Sequence, residues 1–113
     1  MVKEILEKAG FVENETYRET RFLKPPKNTY AVYADSFQSG GPDGIALIKR
    51  HSITIELYEY APDPAAEALI ESILNEYYPL MSDEWEKQER YWIEEEQLYQ
   101  VVYTFDYIEK GGY

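Results

Sequence analysis

From Leu98 to Ile108 the sequence alternates with a period of two. Tyr99, Val101, Tyr103, Phe105 and Tyr107 fall on one side, and Gln100, Thr104 and Asp106 punctuate the other. Successive side chains of a strand point to opposite faces, so this pattern describes a long strand with one face to bury. The same period recurs within Ile45 to Tyr60, where Ile53, Ile55 and Leu57 alternate with Thr54, Glu56 and Tyr58. Two long strands of this kind demand a sheet, and the sheet demands a cover for its apolar face.

Helical periodicity supplies the cover. Val2, Ile5, Leu6 and Ala9 recur at the spacing of one helix face, and Gly10 is a natural stop. Asp63-Pro64 is a helix start, with a capping oxygen before the residue best tolerated in the first turn. Ala66, Leu69, Ile70, Ile73, Leu74 and Tyr77 then form a stripe, and Pro79 lies beyond its end. Shorter β-favouring runs complete the chain. Thr16 to Leu23 reads as a strand broken by Lys24-Pro25-Pro26-Lys27-Asn28, and Thr29 to Ala34 as a second, with Tyr30, Val32 and Ala34 facing one way. Asp35 to Gly44, with three glycines and a proline, predicts a flexible hairpin connection. Trp85 to Ile93 reads as an edge strand turning at Glu94-Glu95-Glu96. Residues 1–113 are thus expected to form one α+β domain: an antiparallel β-sheet of four to five strands packed by two α-helices, in the order α-β-β-β-α-β-β.

Charge and composition narrow the function. Twenty-two acidic residues against eleven basic ones give a formal net charge of −11. Such a surface repels phosphate backbones and anionic membranes, so neither nucleic-acid binding nor membrane docking is expected. Hydrophobic residues at 44% and aromatic residues at 16% argue against disorder. Cysteine is absent, which excludes disulfides and thiolate metal sites and fits a reducing compartment. No stretch approaches the ~20 apolar residues of a membrane span.

Catalytic constellations are not found. The one histidine, His51, cannot supply a metal cluster, no Gly-x-Ser-x-Gly elbow is present, and His51 reads as structural or surface. The residues two places before each lysine are Met1, Leu6, Phe22, Pro25, Leu47, Trp85 and Ile108, so the acidic-x-Lys pattern of common nucleases is missing. Glu94-Glu95-Glu96 reads as a solvated turn, because adjacent strand carboxylates point apart. Gly40-Gly41 precedes Pro42, which lacks a backbone donor, so it is a poor phosphate cradle. Neither a cofactor, a metal nor an enzymatic activity is expected.

The element order, together with the phrases Phe22-Leu23-Lys24-Pro25-Pro26-Lys27-Asn28-Thr29-Tyr30-Ala31-Val32-Tyr33, Ile53-Thr54-Ile55-Glu56-Leu57-Tyr58 and Glu96-Gln97-Leu98-Tyr99-Gln100-Val101-Val102-Tyr103, resembles a family of small proteins from tailed phages and prophages of Gram-positive bacteria. Within it the chain is most similar to the tail-terminator, or tail-completion, proteins. The resemblance implies a virion protein at the head–tail interface, assembled in the host cytoplasm. Such a protein closes into a homo-oligomeric ring, typically of six, that caps the tail tube and meets the tail-tube and head-completion proteins. It carries no catalytic residues across. A carboxylate-lined lumen would let DNA slide through without adhering.

Contact residues are read from this sequence alone. Phe37, the one large apolar residue of its glycine-rich stretch, and the aromatic residues Tyr58, Tyr60, Trp92 and Tyr107 are the candidate protein contacts, whereas Tyr99, Tyr103 and Phe105 read as core. Two alternatives stay open: a head-completion or connector subunit, and an acidic DNA-mimic inhibitor of a nucleic-acid enzyme. The second requires carboxylates arrayed along one continuous face.

Overall fold

The computed structural model describes residues 1–40 and 48–110. Helix α1 (Val2–Lys8) and strand β1 (Tyr17–Glu19) precede two long strands, β2 (Tyr30–Gly40) and β3 (Ile48–Glu59). Helix α2 (Pro64–Tyr77), extended by a 3-10 turn at Tyr78–Leu80, leads to β4 (Glu86–Ile93) and β5 (Leu98–Lys110). The class is α+β and the order α-β-β-β-α-β-β, as the periodicities predict. Asp63 caps α2 as expected: its Oδ1 accepts from the Ala66 amide at 3.1 Å, and Thr29 Oγ1 donates to its Oδ2 at 2.7 Å.

The five strands form one sheet in the order β1-β2-β3-β5-β4. Three of the four pairings are antiparallel, but β1 runs parallel to β2 through Tyr17↔Ala31 and Glu19↔Tyr33. The sheet is therefore mixed, not antiparallel throughout. The chain has room to return from β1 to the start of β2 because residues 20–29 form a connection long enough for it. That connection also replaces the second half of the strand expected over Thr16 to Leu23. Thr20 takes φ +71°, a left-handed conformation that interrupts extension, while its amide donates to the Tyr33 carbonyl at 2.8 Å.

Both helices pack on one face of the sheet. Val2, Ile5 and Leu6 of α1 and Ile70, Ile73 and Leu74 of α2 enclose a core with Ala31, Tyr33, Ile53, Ile55, Leu57, Val101, Tyr103 and Phe105. Tyr17 is fully buried there, and its hydroxyl donates to Glu7 at 2.5 Å. On α2 the buried stripe is shifted from the expected one. Leu69 is largely exposed and Glu67 is buried, because two basic side chains from β4 reach in to meet it.

The largest departure concerns Asp35 to Gly44. Residues 35–40 are not a loop but the continuation of β2, in register with β3 from Asp35↔Ile53 to Gly40↔Ile48; residues 41–44 lie outside the described residues, as do 45–47 of the extended run expected over Ile45 to Tyr60. Small polar residues with few β-branched side chains gave no strand signal, and the ladder is imposed by the long partner β3. A three-stranded arm results, made of the second half of β2, the first half of β3 and the end of β5. The protein measures 50 × 28 × 23 Å.

Candidate protein-contact surfaces

The arm extends past the short outer strands. β1 pairs with β2 only at Ala31–Tyr33, and β4 pairs with β5 only between Leu98 and Thr104. Among the described residues, the outer edges of β2 beyond Ala34 and of β5 beyond Thr104 lack a further strand, although the Ser82 amide donates to the Asp106 carbonyl at 2.8 Å. Open strand edges present rows of backbone donors and acceptors to any chain that can align with them.

A ring stack crosses the arm on its helix-side face. His51 lies flat on Tyr107, with centroids 4.4 Å apart and planes 3° from parallel, and Phe37 leans on it at 5.6 Å and 33°. The imidazole is buried and bridges three strands: Nδ1 is 2.8 Å from Asp35 Oδ1 on β2, and Nε2 is 2.9 Å from Glu109 Oε1 on β5. Burial works against its charged form, but the hydrogen bonds to the two carboxylates outweigh it, and the His51 pKa is raised. A doubly protonated ring donates to both. Phe37 thus has a local partner, and Lys49 Nζ lies 5.5 Å from its ring centroid, yet it remains 55% exposed.

The second surface lies on the sheet face that the helices leave bare. Tyr91, Gln100, Tyr58 and Tyr30 form one cross-strand row over four strands. Phe22 meets Tyr30 edge-on at 5.5 Å, Tyr30 stacks on Tyr58 at 5.1 Å, and Gln100 Nε2 donates to the Tyr58 hydroxyl at 3.0 Å. Burial pushes the Tyr30 and Tyr58 phenols up to about 12, so both stay neutral. Phe22, Tyr30 and Tyr58, with Leu23, Pro25, Tyr60 and Leu98, line a groove of about 450 Å³. The Tyr60 hydroxyl donates to the Pro26 carbonyl at 2.6 Å and holds the 20–28 connection against it. The ends of this belt are open to solvent, Leu23 at 77% and Tyr91 at 65%.

The third place is the β4 edge. Trp92 rests on Tyr99 at 4.8 Å and donates from Nε1 to Glu94 Oε2 at 2.5 Å. A bulge breaks the register there: Gln88 opposes Val102 and Tyr91 opposes Gln100, leaving Glu89 and Arg90 together opposite Val101. Arg90 turns towards α2, with Nη2 2.8 Å from Glu67 and Nε 3.3 Å from Glu59, and Lys87 Nζ contacts Glu67 at 3.0 Å and Glu71 at 2.7 Å. Glu59 is fully buried, and neither of its carboxyl oxygens has a hydrogen-bond partner. Burial first, and then the neighbouring Glu67, push its pKa up to about 7. Burial opposes the charge of Glu67 too, but the neighbouring Glu59 carboxyl and the hydrogen bonds from Arg90 and Lys87 outweigh it and hold that carboxyl below the usual range.

The five candidate contacts therefore occupy three places: Phe37 and Tyr107 flank His51 on the arm, Tyr58 and Tyr60 line the groove, and Trp92 marks the β4 edge. Tyr58 and Tyr107 are half-buried and serve the fold as well as the surface. Sequence reasoning missed Leu23 and Tyr91, which belong to no apolar periodicity. It also missed the Glu59 cluster, although the alternation that turns Ile53, Ile55 and Leu57 inward turns Glu59 inward too. Among the described residues no group of three or more His, Cys, Asp or Glu side chains is arranged to hold a metal ion, and no helix is long and apolar enough to cross a membrane. No protein-family model matches the sequence, and the search of curated proteins gives no match.

Proposed function

We propose that this chain is a structural subunit of the tail-terminator kind, which caps a phage tail tube and joins it to the head by protein–protein contacts without catalysing a reaction. The observation that carries this reading is the arm, a three-stranded extension with strand edges open on both sides beyond β1 and β4. Such edges gain hydrogen bonds from a neighbouring chain, and the exposed Phe37 beside them gains burial. A subunit of this shape suits an assembly in which the arm engages the tube while the body meets its siblings. The net charge of −11 supports the same role, since an acidic lumen releases no counterions from passing DNA.

Deleting the coding sequence from its genome of origin and inducing particle formation tests the proposal. Overlong or unjoined tails are expected in electron micrographs. Normal tails beside leaking heads would reassign the chain to head completion, and unaltered, infectious particles would overturn both roles.

A further inference from the structure

The groove on the bare face of the sheet is bounded in part by the chain's own prolines. Pro25 lines it, and the Tyr60 hydroxyl at its end donates to the Pro26 carbonyl at 2.6 Å. The segment Lys24-Pro25-Pro26-Lys27 is thus held to the sheet by a phenol hydroxyl on a proline carbonyl. Proline brings a carbonyl and no N–H, so a surface that takes a run of prolines must donate hydrogen bonds and present apolar rings.

Groups of both kinds remain free in the groove. Of its three tyrosines, Tyr58 has its hydroxyl on Glu56 and Gln100, and Tyr60 has its hydroxyl on Pro26. Tyr30 is only 5% exposed, yet its hydroxyl has no hydrogen-bond partner among the described residues. The sealed polar side-chain atoms that lack a partner there all belong to Glu59, so the Tyr30 hydroxyl opens into the groove that Tyr30 lines. Burial keeps its proton in place at neutral pH, and it can donate. The Thr20 hydroxyl and the Arg21 guanidinium, also in the lining, are exposed and can donate too. Glu96 is the one lining side chain that can only accept, and Glu96 and Glu56 are the charged groups that bear on the Tyr30 phenol. Phe22, Tyr58 and Tyr60 stay partly open and supply the rings. The volume, about 450 Å³, falls within the roughly 300–1,000 Å³ of ligand clefts.

We infer that this groove takes an extended, proline-containing segment of a partner protein, with a lysine or arginine of that segment reaching Glu96. The Tyr30 hydroxyl and Arg21 donate to its carbonyls, and the open rings meet its pyrrolidines. Such a segment already favours the polyproline II conformation in solution, so little chain entropy is lost when it docks. A helix suits the groove less, because its carbonyls are spent within itself. An ordinary strand suits it less too, because its N–H groups find few acceptors. Arg21 is the only basic side chain of the lining, and the chain as a whole, at −11, attracts a basic partner. The site does not depend on the terminator role, which rests on the arm.

A peptide panel and two variants of the full chain test the site. The panel consists of blocked heptapeptides of six prolines and one arginine, with the arginine at each position in turn; the controls replace the prolines by alanine. In titrations followed by amide NMR shifts, at least one proline peptide should move the signals of Thr20 to Leu23, Tyr60 and Leu98. It should bind at least ~10-fold more tightly than its alanine counterpart. Tyr30→Phe removes a hydroxyl that has no partner within the protein, so circular dichroism and the urea midpoint should match wild type. It should nevertheless bind the peptide ~3–10-fold more weakly, the effect of one hydrogen bond. Glu96→Gln should also weaken binding, and its difference from wild type should shrink as salt is raised. Failure of every proline peptide to move those signals, alanine peptides that bind as tightly, or variants that both bind as wild type does would each overturn the assignment.

Discussion

The imidazole of His51 lies 4.4 Å from the Tyr107 ring and 3° from parallel to it, while its two nitrogens face Asp35 and Glu109 on the strands to either side. The imidazole is thus sandwiched between rings and bracketed by carboxylates, which favour its charged form, where β2, β3 and β5 run together as the arm. The Met1 amine and Glu4 of α1 and Lys49 of β3 also bear on this cluster. It is the one place where the arm is tied across its full width by side-chain charge among the described residues.

The His51 pKa is raised above its ordinary value, so its contribution to stability is fully present below about pH 6.5 and is lost as pH rises through the folded-state pKa. Glu109, held down chiefly by its hydrogen bond from His51, loses its share as pH falls through the ordinary carboxylate range. Hydrogen exchange, corrected for intrinsic rates, should show the amides of residues 35–39 and 106–109 better protected at pH 6 than at pH 8.5. In His51→Gln that difference should disappear. Equal protection of the wild-type arm at both pH values would show that the clamp does not hold it.

Glu59 gives a second pH dependence of known sign. Its folded pKa, about 7, lies above the ordinary value of 4.5. The folded state therefore keeps a proton that the unfolded chain releases, and stability falls as pH rises from 4.5 to 7, by up to ~3 kcal/mol. The lowered pKa of Glu67 acts in the opposite direction below pH 4.5. Stability should be highest in mild acid. Glu59→Gln keeps the shape and a donor without the charge, so its urea midpoint should exceed that of wild type at pH 8 and match it near pH 5. A midpoint below wild type at pH 8 would contradict this account.

Asp63 joins α2 to the sheet through two bonds, one oxygen capping Ala66 and the other accepting from Thr29. Asp63→Ala should cost ~1–2 kcal/mol, the usual range for a lost N-cap. Thermal unfolding should register it as a lower Tm with unchanged circular dichroism at 20 °C or so.

Thr20 is β-branched and sits at φ +71°. Asparagine tolerates that conformation better, and the hydrogen bond from the backbone N–H of residue 20 to the Tyr33 carbonyl survives the change. Thr20→Asn is expected to stabilise the protein by ~1 kcal/mol, seen as a higher urea midpoint with the same slope. Loss of stability would mean that the threonine side chain does more at this turn than its backbone suggests.

The fold was legible wherever one face of an element is buried. Ile53, Ile55 and Leu57 announced β3, Val101, Tyr103 and Phe105 announced β5, and Asp63-Pro64 announced α2, because in each the apolar period matches the geometry of burial. The arm was not legible from β2, since Asp35 to Ser39 carry no apolar alternation and owe their extension to a partner distant in sequence. The parallel pairing of β1 was hidden for a similar reason: three residues are too few for a pattern, and the direction is set by a connection whose turn at Thr20 carries no glycine or asparagine signal. As for the contact surfaces, aromatic content pointed to Tyr58, Tyr60 and Phe37, but their grouping depends on register. Exposure of Leu23 and Tyr91 follows from sheet order, which no local window contains.

The irregularity at Glu89 and Arg90 carries a consequence for growth. A flat outer strand would allow sheet to be added to sheet without limit, producing fibres that withstand dilution. By kinking β4 and studding it with carboxylates, the chain makes any junction at that border depend on side-chain fit and ionic conditions. A contact made there can be released and remade, which an ordered amyloid-like ladder would not permit.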